Sequence, residues 1–395
     1  MPSLTPRLGI FAALVCLAPA FCLAAPDRTQ LCELVSSAEK AGKAQSAIAF
    51  DDGFASILFR PSTPDWRFAK IDFVDEAGLP EMQIRVLPPC HVTEARRVSR
   101  TDDGAVSEIE ILSRDLATVS ARQLVNPPVP ELVTGDGTAL LAHVDTGVNY
   151  LLPDVKGQLA ADREGRLLGY DFWDDDDRPY DADPRRDIFF PQHHGTTTFS
   201  LLAREAGGIP IAVYRFPAED MCGFDALISH MAGILVRVVS LSMGSSNHGE
   251  WRCFEKAARR HPQMLFIVSA GNDGVDLDQT PVYPAALPLD NLLAVTSSDD
   301  FGRLGRGSNS GASTVDLMVP AERVEVIDHR GARSDTGGTS YAAPRLAALA
   351  ARFLRANPQA DTPAIIEFLV KRARPAGDAA VKYGWIPDPT DNFGF

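Results

Sequence analysis

Basic residues are in deficit in this chain. It carries 38 Lys and Arg against 52 Asp and Glu, a formal charge of −14 over 395 residues. An acidic surface repels a phosphate backbone, which excludes nucleic acid as a general partner. Long apolar runs are also scarce: outside Leu8–Leu23 no segment is long and apolar enough to cross a bilayer. There is no internal repeat, and apart from Asp174–Asp177 no low-complexity tract. Cysteines number six and none has the spacing of a metal-ligand cluster. With 45% hydrophobic and 23% charged residues, the composition fits a soluble globular protein with a sizeable core.

The one long apolar run lies at the start. Arg7 precedes Leu8–Leu23, and the small residues Ala24 and Ala25 follow. This is the pattern of a signal peptide over residues 1–24, cleaved after Ala24, with an uncleaved membrane anchor as the alternative. The expected location is secreted or periplasmic. Cys16 and Cys22 would leave with the signal. The remaining four cysteines admit three pairings, of which proximity favours Cys32–Cys90 and Cys222–Cys253, with free thiols as the alternative.

Residues 25–125 read as a small α+β domain. A helix is expected over Leu31–Lys43, and strands over Ala55–Arg60, Phe68–Val74, Met82–Leu87 and Glu108–Leu112. Residues 126–138 open on Asn126-Pro127-Pro128-Val129-Pro130, a stiff linker composition. From Ala139 to residue 395, compact apolar runs at Ala139–Val144, Ile211–Tyr214, Val236–Leu241, Leu265–Ser269 and Leu292–Val295 alternate with helical stretches. Runs without strict alternation suit strands of a parallel sheet buried on both faces.

Four motifs in this region carry chemistry. Asp145-Thr146-Gly147 ends a buried strand, where α/β folds place functional side chains. His194-Gly195-Thr196 opens a predicted helix, with His193 as a neighbouring candidate. Ser269-Ala270-Gly271-Asn272 follows another strand, and its small residues admit a substrate backbone while Asn272 can present an amide. Gly338-Thr339-Ser340 opens the last strong helix, whose free N–H groups and positive end favour an alkoxide and an oxyanion. Each motif alone also fits a turn or a helix cap.

Together, in the order Asp, His, Asn, Ser, these residues resemble the subtilisin-like serine proteases. The resemblance runs from Ala139 to the C-terminus and includes Asp145–Asp154, Tyr170–Asp174, Ser240–Gly244 and Val282–Pro320. It implies a three-layer α/β/α domain with a mainly parallel central sheet, and a serine endopeptidase acting on protein or peptide substrates. By the same resemblance Asp145, His194 and Ser340 form the triad and Asn272 supplies an oxyanion donor. Leu241, Ser242, Met243 and Gly244 would pair with the substrate, and Ser269, Ala270 and Gly271 would form the opposite wall. Residues 25–125 would be a propeptide or a retained domain.

The chain departs from the family at two positions: Thr197 stands where a second histidine is common, and Tyr341 stands for the usual methionine. No cofactor is required. Calcium is admitted at Asp154 or among Asp174–Asp177, Asp181 and Asp183. Val282 suggests an apolar primary pocket, whereas Asp276 or Asp278 would supply a basic preference. Readings from other classes are a binding or regulatory module on an inactive protease fold, and an esterase or transferase using the same triad.

Overall fold

The computed structural model of the chain describes residues 26–42, 45–50, 53–61, 66–101, 104–217, 220–376 and 380–395. The signal-peptide reading of residues 1–24 falls outside them. The chain forms two compact units that divide between Gln123 and Leu124.

The first unit opens with α1 (Arg28–Lys40). Asp27 accepts the N–H of Gln30 and the Gln30 side chain accepts the N–H of Asp27. This capping box starts the helix ahead of the expected Leu31. Seven strands follow: β1 (Gln45–Phe50), β2 (Gly53–Pro61), β3 (Trp66–Asp75), β4 (Pro80–Leu87), β5 (His91–Arg100), β6 (Val106–Leu112) and β7 (Val119–Leu124). They lie side by side in chain order, and β1 to β6 pair antiparallel. Alternate residues such as Ile57, Ile71, Phe73, Ile84 and Val86 join Leu31 and Val35 of α1 in one core. The Cys32–Cys90 disulfide ties the helix to the turn after β4.

The second unit is built on a seven-stranded sheet of β8 (Leu141–Asp145), β9 (Gly169–Asp171), β10 (Ile211–Arg215), β11 (Val238–Leu241), β12 (Leu265–Ser269), β13 (Leu292–Ser298) and β14 (Leu317–Pro320). The spatial order is β14-β13-β12-β11-β8-β10-β9, and every pair is parallel. The helices are α2 (Pro153–Lys156), α3 (Gly195–Glu205), α4 (Phe224–Gly233), α5 (Arg252–Arg260), α6 (Thr339–Ala356) and α7 (Thr362–Arg372). A hairpin of β15 (Val324–Ile327) and β16 (Arg333–Thr336) precedes α6.

Two-residue alternation decides which layer each strand residue serves. Leu141, Val213, Val238, Ile267 and Val295 face α3 and α6. Ala142, Tyr214, Val239, Phe266 and Ala294 face α4 and α5. The result is the expected three-layer α/β/α architecture. Cys222 and Cys253 bridge the start of α4 to α5, so both favoured disulfide pairings are present.

Residues 126–138, expected as a linker, are packed onto the second unit. Tyr150 donates its hydroxyl to the Pro127 carbonyl at 2.5 Å, Asn126 donates to Asp176 at 2.8 Å, and Leu132 is buried in the core. Prolines keep the segment extended, and the partners that hold it lie too far along the chain to be read from composition.

Candidate active site

After β8 the chain turns to β9 and β10 on one side of that strand, and later places β11 on its other side. The C-terminal edge at such a reversal is the natural site of an α/β sheet. Asp145 ends β8 there, 3% exposed. His194 stands immediately before α3, with its side chain 37% exposed. Its Nδ1 lies 2.8 and 2.9 Å from the two Asp145 carboxylate oxygens. His193 is not an equivalent candidate, because its Nδ1 faces the Asp181 carbonyl at 2.5 Å.

The local chain is shaped for this contact. A Cβ on Gly195 would fall 2.0 Å from the Gly147 carbonyl and 3.2 Å from the Asp145 Cβ. Only glycine lets α3 begin so close to the Asp145 loop. Asp145 also accepts the Thr146 N–H at 2.7 Å and the Thr198 hydroxyl at 3.1 Å. Burial pushes its carboxyl up, but the facing His194, its hydrogen bond and the Thr146 N–H outweigh burial, so the group sits below its ordinary value. Burial likewise lowers His194, yet the Asp145 charge and hydrogen bond, with Asp181 and Asp183 behind them, raise it to about 9.

Ser340 is the second residue of α6 and is half-buried. Its carbonyl accepts the Ser242 hydroxyl at 2.9 Å, which ties the end of β11 to the helix. Its own hydroxyl is not hydrogen-bonded to His194 in this structure. Asn272 is clamped to the same helix start. Its Oδ1 accepts the Thr339 N–H at 3.0 Å, and the Thr339 hydroxyl accepts the Gly271 N–H at 3.1 Å. The carbonyl end of the Asn272 amide is thus committed, and the NH₂ end is the one left to meet a ligand.

The two departures from the family face one another. Tyr341 donates to Thr197 Oγ1 at 3.4 Å, and Thr197 donates to the His194 carbonyl at 2.7 Å. A chain of two hydroxyls therefore links the residue after Ser340 to the backbone of His194.

Asp145 and His194 border a cleft of about 340 Å³, together with Trp173, Arg215, Met243 and Trp251. Ser242, Met243 and Gly244 line it as well, whereas Ser340 and Asn272 do not. Two parts of the sequence reading need correction here. Leu241 is a core residue, 1% exposed, because it still belongs to the paired part of β11. Ala270 is fully buried, its N–H goes to Val295 and its carbonyl to Asn309, so it shapes the wall without forming its surface. Gly271 is similarly committed, giving its N–H to Thr339 and its carbonyl to the Asn309 N–H. Asp276 and Asp278 are tied to local turns and to residues 313–314.

Several supporting residues were not anticipated. Arg215, 2% exposed, pairs with Asp171 at 2.8 Å and Asp174 at 2.5 Å, and donates to the Ala182 carbonyl at 2.8 Å. Asn309 organises the turn carrying Asn272 by accepting the N–H groups of Asp273 and Val275. His143 is buried beneath Asp145 with its Nε2 3.2 Å from the Gly195 carbonyl. For Arg215 and His143 the hint in the sequence is a charged or polar residue at a buried strand position.

Most of the acidic residues considered for calcium are engaged by other side chains. Asp154 pairs with Arg333, Asp174 with Arg215, Asp176 with Arg178, and Asp183 with Arg185, while Asp175 accepts the Tyr170 hydroxyl. Asp181, His193 and His329 bring one potential ligand atom each within 4.8 Å of one another. The two imidazoles are stacked 3.6 Å apart and 10° from parallel. Their in-plane lone pairs run side by side instead of converging, which does not suit a shared ion.

Residues 136–385 match the Subtilase family. Similar proteins include a thermophilic serine proteinase of Bacillus sp. strain AK1, 27% identical over 56% of this chain and 53% of its own length. The alkaline serine exoprotease A of Vibrio alginolyticus is 25% identical over 60% of this chain and 42% of its own. The chain thus spans about half the length of these relatives or less. A cold-adapted subtilisin-like serine proteinase of known structure matches with a TM-score of 0.50 at 21% identity, over 64% of this chain and 89% of that one. A lanthipeptide protease matches with a TM-score of 0.52 at 19% identity, over 64% and 87%. At these identities the two structures speak for the fold.

Proposed function

The chain belongs to the subtilase family, and from this we propose that it is an exported serine endopeptidase working through Asp145, His194 and Ser340. The observation that carries the reading is the His194 Nδ1 held by both oxygens of a buried Asp145, at 2.8 and 2.9 Å. That contact fixes the tautomer with the proton on Nδ1, so that Nε2 is the basic nitrogen. Ser340 attacks the scissile carbonyl as Nε2 takes its proton. The same proton then goes to the leaving amine, and water repeats the sequence to release the acyl group. The Ser340 N–H in the first turn of α6 and the Asn272 NH₂ hold the oxyanion. Pairing of β11 ends at Leu241, and residues 242–244, which continue its line along the cleft, offer an edge to which a peptide can add as a strand.

Export is supported by the two disulfides, which suit an oxidising compartment. No helix among the described residues is long and apolar enough to cross a membrane.

The test is labelling with a fluorophosphonate, followed by mass mapping and a casein assay. The adduct is expected on the peptide containing Ser340, with casein hydrolysed and both lost in Ser340→Ala. An unlabelled protein without hydrolysis would leave only a binding module on this fold; labelling with ester but no casein turnover would point to an esterase.

Two further results follow from the geometry. Asn272→Asp keeps the oxygen that accepts from Thr339 but loses the NH₂. It should lower kcat by about 10²–10³ with little change in KM, as removal of this type of donor does in subtilisin; an unchanged kcat would exclude Asn272 from the oxyanion site. The base must be neutral to act, and Asp145 raises His194 to about 9. Hence kcat/KM should climb about tenfold per pH unit towards a midpoint above the ordinary histidine value of about 6.5. A midpoint at or below that value would contradict the assignment.

A further inference from the structure

Asp181 is completely buried, and among the described residues its ion-pair partner is His329, 3.7 Å away, with no arginine or lysine in reach. A buried carboxylate without a strong cation persists only when its hydrogen bonds are good. Its bonds are short and come from both sides of the catalytic pair. One oxygen accepts the Thr146 hydroxyl at 2.6 Å, and the other accepts the Thr196 N–H in the first turn of α3 at 2.8 Å.

The direction of the Thr146 hydroxyl is the decisive point. A hydroxyl has one proton, and here it goes to Asp181, which turns the oxygen lone pairs the other way. They accept the N–H of His194 at 3.2 Å and of Gly195 at 2.8 Å. Meanwhile the Thr146 N–H holds Asp145 at 2.7 Å. One threonine thus addresses the acid through its backbone and the base through its side chain, with its polarity set by Asp181.

We propose that Asp181 is a positioning residue for the Asp145–His194 pair, acting through the Thr146 hydroxyl and the first turn of α3. It touches neither substrate nor reacting atoms. The inference rests on the reading of His194 as the base.

The experiment compares Asp181→Asn, Thr146→Val and Thr146→Ser in the full chain. In Asp181→Asn an amide NH₂ must face an O–H or N–H donor. Its kcat should fall about 10- to 100-fold, the scale of a small misplacement, with KM within about twofold. Thr146→Val should match it, Thr146→Ser should keep most activity, and the double variant should be no worse than either single one because they break one chain of contacts. The titratable groups facing His194 include Asp145, Asp181, Asp183 and the buried His143, and losing the Asp181 charge should also move the pH midpoint of kcat/KM down.

A second readout needs no turnover. The low-field proton resonance of the His194 Nδ1–H, recorded in a Ser340→Ala background, should shift or broaden in Asp181→Asn and Thr146→Val and persist in Thr146→Ser. Should Asp181→Asn fail to fold, the valine and serine pair still decides. Wild-type kcat and an unmoved resonance in Thr146→Val and any folded Asp181→Asn would overturn the proposal. An inactive parent protein with these resonance shifts intact would instead count against the protease reading alone.

Discussion

Ser340→Ala and His194→Ala are each expected to lower kcat by about 10⁶, with the double variant no slower than either. The size is that found on removing these two roles in subtilisin, a member of the same family. The non-additivity has a physical cause. Without the serine there is nothing for the imidazole to deprotonate, and without the imidazole the hydroxyl stays protonated. What survives is turnover supported by oxyanion donors and substrate binding. Stopped assays on purified single and double variants, with residual activity checked against an irreversible inhibitor, measure this directly. Losses that multiply would mean that the two residues act in separate steps. Ser340→Ala should leave the melting temperature nearly unchanged, since its hydroxyl holds nothing else in place, whereas His194→Ala takes the partner from the buried Asp145 and should lower it.

The second large effect is on stability. Arg215→Met should destabilise the second unit by about 3–5 kcal/mol, the range for a buried pair broken on one side. Arg215 is 2% exposed and is the cation for both Asp171, which is fully buried, and Asp174. Burial already pushes Asp171 up to about 6 against the pull of Arg215; without the arginine its pKa rises further. The sign follows from linkage: a carboxyl raised in the folded state is penalised as pH climbs past its unfolded value and relieved when it can protonate. The deficit in Arg215→Met should therefore be largest near pH 8 and smaller near pH 5. Urea unfolding at the two pH values tests this, and a deficit below about 1 kcal/mol at neutral pH would remove the assigned role.

The contrast between these two sites explains what could be read from the chain beforehand. Asp145, His194, Asn272 and Ser340 each sit in a short motif whose neighbours announce a strand end or a helix start, so their placement is local information. The Arg215 cluster joins residues 41 and 44 positions apart, and its acidic half looks like a solvated loop until the fold brings the arginine beneath it. Asp181 likewise looks in the sequence like one more member of an acidic run. In the first unit the sequence does not announce β1, β5 or β7, and for β5 the reason is a different one. A register shift opposite Arg85 and Val86 places Val92 and Ala95 in one core at a spacing of three. A strand with such a bulge loses the alternation by which strands are recognised.

The contact between Tyr341 and Thr197 bears on which substitutions this site tolerates. Either position alone looks like a departure from its family, but the two side chains complete one another across the α3–α6 boundary. A histidine at 197 would crowd the tyrosine ring, and a methionine at 341 would leave the threonine without its donor. In a set of sequences sharing this arrangement the two positions should therefore change as a pair, and a chain carrying one replacement without the other should be rare.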